Sequence, residues 1–129
     1  NVRVEKSLQH DGAHILADPG LLQQAWSNIF TNAIQAMGEN GGALRVETHL
    51  EHGMISLVVE DSGPGISPDI MPRLFEPFFT TKDEGTGLGL SIANTLTDAN
   101  GGRLEVQTPE RGGARFAMWF PVQEERFES

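Results

Sequence analysis

The sequence predicts a single α/β domain in which helices cover one side of a β-sheet. One long segment places apolar residues at three- and four-residue steps, the spacing that gives an α-helix one apolar face. Several shorter segments alternate apolar and polar residues, as half-buried strands do, and turn residues join them into hairpins. The 129 residues contain no internal repeat and no linker-like stretch, so we expect one domain over residues 1–129.

The first third of the chain predicts two strands and a long helix. Val2 to Leu8 alternates loosely and is expected to form a strand, with a second short strand over His14 to Ala17. Asp18 is a suitable N-terminal cap, Pro19 suits the first helical position, and Gly38 is expected to end the helix. The apolar face of this helix consists of Leu21, Leu22, Ala25, Trp26, Ile29, Phe30, Ala33, Ile34 and Met37.

The remainder of the chain predicts two hairpins and two further helices. Each hairpin pairs alternating segments across a turn, and each helix has apolar residues at helical spacing. In chain order the elements are a strand over Ala43 to Leu50, a strand over Met54 to Asp61, a short helix over Pro68 to Phe75, a helix over Gly87 to Asn100, and strands over Arg103 to Gln107 and Ala114 to Pro121. The charged tail, residues 123–129, is expected to be frayed.

The composition argues against several classes of function. With 18 acidic and 9 basic residues the net charge is −9, which argues against nucleic-acid binding. No apolar run approaches the length of a membrane span, so we expect no direct membrane contact by this domain. The chain has no cysteine and does not begin with Met, so we interpret it as a cytoplasmic fragment of a longer protein. A polyphosphate ligand would require a divalent cation, a helix N-terminus and well-placed Lys or Arg side chains.

The first of two glycine-rich loops follows a predicted strand and begins with an acid. Asp61 is in phase with the inward-facing residues of that strand, so its carboxylate is expected to be buried and to need a hydrogen-bond donor. The amino group of a nucleotide base would serve, and Gly63 and Gly65 would let the backbone pass close to that base. An aspartate that only caps the following turn is an equally good interpretation of this pattern.

The second glycine-rich loop opens a predicted helix. Because Gly85, Gly87 and Gly89 carry no side chains, consecutive backbone amides and the helix dipole can approach phosphate oxygens there. Lys82 is the nearest cation that could reach such phosphates, and Thr86 could add a hydroxyl donor. The alternative interpretation is a flexible connector, since a glycine triplet alone is weak evidence.

Two asparagines stand at the edge of the apolar face of the first helix. Asn28 and Asn32 lie one turn apart, and amide oxygens at such a position can ligate a hard cation such as Mg²⁺. Considered alone, the pair is more simply a polar helix edge. The four histidines, His10, His14, His49 and His52, are expected to be surface residues without a functional role.

Together these motifs closely resemble the catalytic, ATP-binding domain of sensor histidine kinases, in the superfamily shared with gyrase, Hsp90 and MutL ATPases. The segments that carry the resemblance are an N box from Trp26 to Met37, a G1 box from Asp61 to Ile66, an F box from Leu74 to Lys82, a G2 box from Gly85 to Leu90, and a closing segment from Gly112 to Phe116. Only five residues separate Phe79 from Gly85, and no basic residue occurs at 34–36. Both traits are similar to the nitrogen-regulation and dicarboxylate-sensor subgroup.

The resemblance implies a two-layer α/β sandwich, with a mixed, mostly antiparallel five-stranded sheet packed on three helices. It also implies that Mg-ATP binds between the helices and a mobile lid. Asn32 would then ligate magnesium with help from Asn28, Asp61 would hydrogen-bond the adenine amino group, and Asn28, Asn32 and Lys82 would form the catalytic set. The implied nucleotide-binding residues are Asn28, Asn32, Asp61, Gly63, Gly65, Ile66, Phe78, Lys82, Gly85, Thr86, Gly87, Leu88, Gly89 and Leu90.

The implied reaction is part of two-component signal transduction. The family passes the γ-phosphoryl group of ATP to a histidine on a separate dimerisation domain, and then to an aspartate on the receiver domain of a response regulator. The parent protein of such a domain can be anchored in a membrane. A self-contained ATPase or a serine kinase of the same superfamily, or a nucleotide-binding module without catalysis, are the alternatives. The ATPases carry a glutamate base four residues before the metal asparagine, where this chain has Asn28.

Overall fold

The computed structural model describes residues 2–8, 15, 17–39, 41–77 and 89–122. The helices in these parts are α1 (Pro19–Met37), a short 3-10 helix (Met71–Arg73) and α2 (Gly89–Ala99). The strands are β1 (Val2–Leu8), β2 (Gly42–Glu51), β3 (Met54–Asp61), β4 (Arg103–Gln107) and β5 (Arg115–Pro121).

The described strands form one five-stranded sheet in the order β1-β2-β3-β5-β4. β1 runs parallel to β2, whereas every other neighbouring pair is antiparallel. The β2–β3 hairpin turns at His52 and Gly53, which have positive φ angles of 51° and 75°. Its register places Leu44 directly opposite Asp61. The predicted mixed, mostly antiparallel sheet is therefore confirmed.

The core lies between one face of this sheet and a layer of two α-helices. α1 packs against α2 and contacts β2 and β3, while α2 contacts β4. The Asp18 side chain accepts a hydrogen bond from the Leu21 N–H at 3.1 Å, so the predicted cap of α1 is confirmed. The buried core residues are Ala25, Ile29, Ala33, Met37, Leu44, Ile55, Val59, Ala93, Leu104, Ala114, Phe116, Met118 and Phe120.

The predicted helix over Pro68 to Phe75 is only a 3-10 turn over Met71–Arg73. Pro72 has no N–H, so it cannot donate to the carbonyl of Pro68, and an α-helix cannot propagate through this segment. The turn is closed instead by short-range bonds, such as Ile70 N–H to the Ser67 carbonyl at 3.0 Å. The third helix of the predicted layer is thus reduced to a single turn in the described residues.

The described residues also bear on the predicted bounds of the second strand, the last helix and the tail. Ile15 and Ala17 belong to no strand, so the predicted strand over His14 to Ala17 is wrong at these two residues. Ala17 immediately precedes the cap of α1, Asp18, whose backbone N–H donates to the Asn100 side chain at 2.7 Å. α2 begins at Gly89, and the two preceding residues of its predicted range lie outside the described part of the chain, as does the tail 123–129.

Within the described ranges, no helix is both long enough and apolar enough to cross a bilayer.

Candidate functional site

A cavity of about 560 Å³ opens where β3 ends, between α1 and the loop that follows β3. This volume lies within the range that small-molecule sites commonly occupy. Residues from α1, from the end of β3 with its loop, and from the segment between β4 and β5 form its walls. The lining residues are Asn32, Gln35, Ala36, Asp61, Pro64, Gly65, Ile66, Ser67, Ile70, Leu74, Thr108 and Ala114.

Asp61 is the last residue of β3 and is only 3% exposed. Its Oδ1 atom accepts a hydrogen bond from the Gly63 N–H at 2.9 Å, and its Oδ2 atom is also buried. Its backbone N–H donates to the Ala114 carbonyl at 2.9 Å, which ties it to the start of β5. The predicted buried carboxylate is confirmed. One oxygen caps the next turn, as the alternative interpretation expected, while the residue also forms part of the cavity wall.

The glycines after Asp61 allow two close backbone approaches. A Cβ atom on Gly63 would lie 3.0 Å from the Ala36 carbonyl oxygen, so this position presses directly against α1. Gly65 has a φ of 84°, and a Cβ atom there would lie 3.0 Å from the Gly113 carbonyl oxygen. The loop is therefore held between α1 and the β4–β5 turn, with Gly65 and Ile66 in the cavity wall.

Sequence reasoning missed two hydroxyl groups that hold this loop in place. The Ser62 hydroxyl accepts from the Ala43 N–H at 2.9 Å and donates to the Met37 sulfur at 3.6 Å. The Thr108 hydroxyl donates to the Ile66 carbonyl at 3.3 Å across 42 residues of sequence. No local pattern marks either residue, because both contacts depend on elements brought together by the fold.

The two predicted metal ligands occupy the expected edge of α1. Asn28 and Asn32 are both half-buried, one helical turn apart, between the buried and exposed positions of α1. Asn32 lines the cavity together with Asp61, whereas Asn28 lies one turn earlier and outside its lining. The structure thus brings Asn32, Asp61, Gly65 and Ile66 together around one cavity.

Several predicted site residues lie outside the described residues. They are Phe78, Lys82, Gly85, Thr86, Gly87 and Leu88, so the phosphate-binding role of this segment remains a prediction. Gly89 is the first residue of α2, and Leu90 is half-buried against the core. α2 therefore does begin at the last glycine of the predicted loop.

The opposite face of the sheet carries a charged network near the same strand ends. Burial raises the pKa of Glu47, but the His49 hydrogen bond at 2.6 Å and the positive charges of Arg115, His49 and Arg45 outweigh it, so the pKa falls below its usual value. His49 is therefore a half-buried partner of this carboxylate, not the plain surface residue that we expected. His52 is exposed as predicted, while His10 and His14 lie outside the described residues.

Residues 17–124 match the sequence profile of the histidine kinase-, DNA gyrase B- and HSP90-like ATPases. Among curated proteins, the sensor histidine kinase ZraS of Salmonella typhi is 43% identical over 110 residues, which make up 84% of this chain and 23% of that protein. The sensor protein FixL of Bradyrhizobium diazoefficiens is 39% identical over 127 residues, or 97% of this chain and 25% of that protein. This chain thus spans only about a quarter of each relative.

The fold is similarly shared with solved structures. Full-length ShkA in complex with AMPPNP superimposes with a TM-score of 0.80 at 32% sequence identity. The superposition covers 94% of this chain and 26% of that one.

Proposed function

Because the chain belongs to the family of histidine kinase-, DNA gyrase B- and HSP90-like ATPases, we propose that it is the catalytic ATP-binding domain of a sensor histidine kinase. The observation that carries the proposal is the buried Asp61 carboxylate in the wall of a cavity of about 560 Å³. The resemblance of this chain to ZraS and to nucleotide-bound ShkA supports it.

The base would be recognised by Asp61. A carboxylate only accepts hydrogen bonds, and adenine presents an amino donor where guanine presents a carbonyl acceptor. A site with a buried acceptor therefore favours adenine, because guanine would leave two acceptors facing each other. Ile66, Ile70 and Leu74 in the same cavity supply apolar surface for the flat ring.

The phosphates and their metal would lie toward α1. Asn32 offers an amide oxygen at the cavity, which suits a hard cation, and Asn28 lies one turn away to assist. Mg²⁺, when bound, neutralises charge on the phosphates. A chain with a net charge of −9 needs such compensation, and we assign the remainder to Lys82 and to the backbone amides at Gly85, Gly87 and Gly89.

We propose phosphoryl transfer to a partner domain and not hydrolysis. Asn28 stands four residues before Asn32, where a hydrolytic relative carries a glutamate, and an amide cannot take a proton from water. The domain would orient ATP for attack by a histidine on a separate dimerisation domain, with a response-regulator receiver domain as the next acceptor. We place it on the cytoplasmic side of the cell, where its lack of cysteine is unremarkable.

The test is calorimetric titration of the chain with ATP and GTP, each with and without Mg²⁺. We expect ATP to bind more tightly than GTP and to depend on Mg²⁺. Asn32→Ala should remove most of the Mg²⁺ dependence, while Gln24→Ala, which changes an exposed amide on the same helix, should not. Equal affinity for the two nucleotides in the unmutated chain would contradict the role of Asp61.

A further inference from the structure

We propose that Glu60 and Arg111 are positioning residues for the base-binding end of the cavity. They would act through the β4–β5 turn, residues 108–114, which forms one wall of that site. The inference rests on the proposed function for its effect on nucleotide binding. The claim that the pair fixes the position of Asp61 does not depend on any ligand.

The two residues join distant parts of the chain on the outer side of the sheet. Glu60 is buried in β3 at 5% exposure, and Arg111 lies in the β4–β5 turn, 51 residues later. The Arg111 Nε atom donates to Glu60 Oε2 at 2.9 Å, and Nη2 of the same guanidinium contacts the same oxygen. The pair therefore fastens the turn to the strand that ends in Asp61.

The same turn bears directly on the backbone of Asp61. Gly113 has a φ of 78°, and a Cβ atom there would lie 1.9 Å from the Asp61 carbonyl oxygen, so no side chain fits between them. The neighbouring Ala114 carbonyl accepts the Asp61 N–H at 2.9 Å. A shift of the turn would therefore be transmitted to the backbone of Asp61, whose residue lines the candidate cavity.

A small cavity shows how near the pair lies to the site. It measures about 140 Å³, and its lining includes Glu60, Arg111, Asp61 and Ser62. Asp61 contributes to this cavity and to the larger candidate site, so it separates the charged pair from the base. Neither Glu60 nor Arg111 lines the larger cavity, which is why we assign the pair a positioning role and not a catalytic one.

Replacing Arg111 with alanine leaves the buried Glu60 carboxylate with other cationic partners. Arg45 and Arg115 also face Glu60, at 3.6 and 3.5 Å, so the carboxylate keeps two guanidinium partners in Arg111→Ala. A buried carboxylate that loses its only partner destabilises the fold, but Glu60 would keep two partners, so we expect little loss of stability. Arg111 is itself more than half exposed, so truncation leaves little core packing to lose.

The first measurement is ATP and ADP affinity in Arg111→Ala, Arg111→Lys and the control Arg103→Ala. Arg103 forms an exposed 3.1 Å pair with Glu105 at the far end of the same hairpin. We expect Arg111→Ala to weaken ATP and ADP equally, by roughly three- to tenfold, since coupling within a charged network is commonly of this size. The Mg²⁺ dependence and the thermal midpoint should change little, Arg111→Lys should recover part of the affinity, and the control should match the unmutated chain.

The second measurement needs no nucleotide. Hydrogen exchange at the Asp61 N–H should be faster in Arg111→Ala than in Arg103→Ala, because the bond to Ala114 is held by the turn. If the unmutated chain bound no ATP, the proposed function would fail, and this exchange rate would still decide whether the pair holds Asp61. Unchanged exchange, or unchanged nucleotide affinity in a chain that binds ATP, would overturn the positioning role.

Discussion

At the scale of single residues, Asp61 shows how one side chain serves the fold and the site together. Its Oδ1 atom closes the turn by accepting the Gly63 N–H. Because the residue is also buried in the cavity wall, a hydrogen-bond acceptor there would favour ligands that present a donor over ligands that present another acceptor. Turn-capping and base recognition were alternative interpretations of the sequence pattern. The structure shows the turn-capping bond to the Gly63 N–H, and the proposed base recognition would use the same carboxylate, so a substitution must preserve the first role in order to test the second.

Asp61→Asn meets this condition, because the amide keeps a carbonyl oxygen for the Gly63 N–H. We expect ATP affinity to fall by roughly 1.5–3 kcal/mol, the usual range for a hydrogen bond to a charged group. Discrimination between ATP and GTP should narrow, since an amide can turn its NH₂ toward a carbonyl. Parallel titrations with both nucleotides measure this, and thermal unfolding checks that the turn is intact. Full affinity and unchanged discrimination would rule out Asp61 as the base acceptor.

Glu47 predicts how stability depends on pH. Its folded-state pKa lies below the usual value, because the His49 bond and nearby positive charges outweigh burial. A depressed carboxyl pKa adds stability above the unfolded-state pKa, and this contribution is lost as pH falls through the folded-state value. Urea unfolding between about pH 7 and about pH 3 should therefore show a steeper acid loss in the unmutated chain than in Glu47→Gln. If the free energy of unfolding of the two proteins depended on pH in the same way, Glu47 would not be stabilised by His49 and the neighbouring arginines.

At the scale of elements, local periodicity correctly predicted which face of its own strand or helix a residue occupies. The alternation that places Ile55, Leu57 and Val59 on the core side of β3 also places Asp61 there, because side chains on a strand point to alternate faces. The Thr108 and Arg111 contacts were not predictable in this way. They span 42 and 51 residues and exist because β3 pairs with β5, an arrangement that no local period records.

The β4–β5 turn offers a sharp test of this element-level packing. Gly112 and Gly113 both have positive φ, 92° and 78°, but a Cβ atom on Gly112 would meet nothing within 4 Å, whereas one on Gly113 would collide with Asp61. Gly112→Ala should lose about 1 kcal/mol of unfolding free energy from backbone strain alone. Gly113→Ala should lose clearly more, because the strand end must also move. Urea unfolding of both variants measures the difference. Equal losses of unfolding free energy would show that the turn can move away from Asp61 without destabilising the fold.

At the scale of the whole molecule, the sheet separates the candidate site from the charged network on its other face. Asp61 and its partner Leu44 face the helices, while His49 stands five residues further along β2, on the outward-facing side. That offset is roughly 17 Å along the strand. His52 lies still further away, in the hairpin turn. Neither described histidine therefore lies at the candidate site.

Because neither histidine in the described ranges lies at the candidate site, we predict that the chain alone does not phosphorylate itself. Incubation with γ-labelled ATP and Mg²⁺ should give no acid-labile phosphate on the chain, because transfer requires the acceptor within about 3–3.5 Å of the phosphorus. Adding a helical dimerisation domain that carries the acceptor histidine should produce label on that domain and not on this one. The matched control is Asn32→Ala, which should label neither. Phosphate on His10, His14, His49 or His52 would contradict this prediction, and steady phosphate release by the chain alone would favour an ATPase instead. Labelling this chain with and without the dimerisation domain therefore distinguishes a kinase that needs a separate acceptor domain from an enzyme that is active by itself.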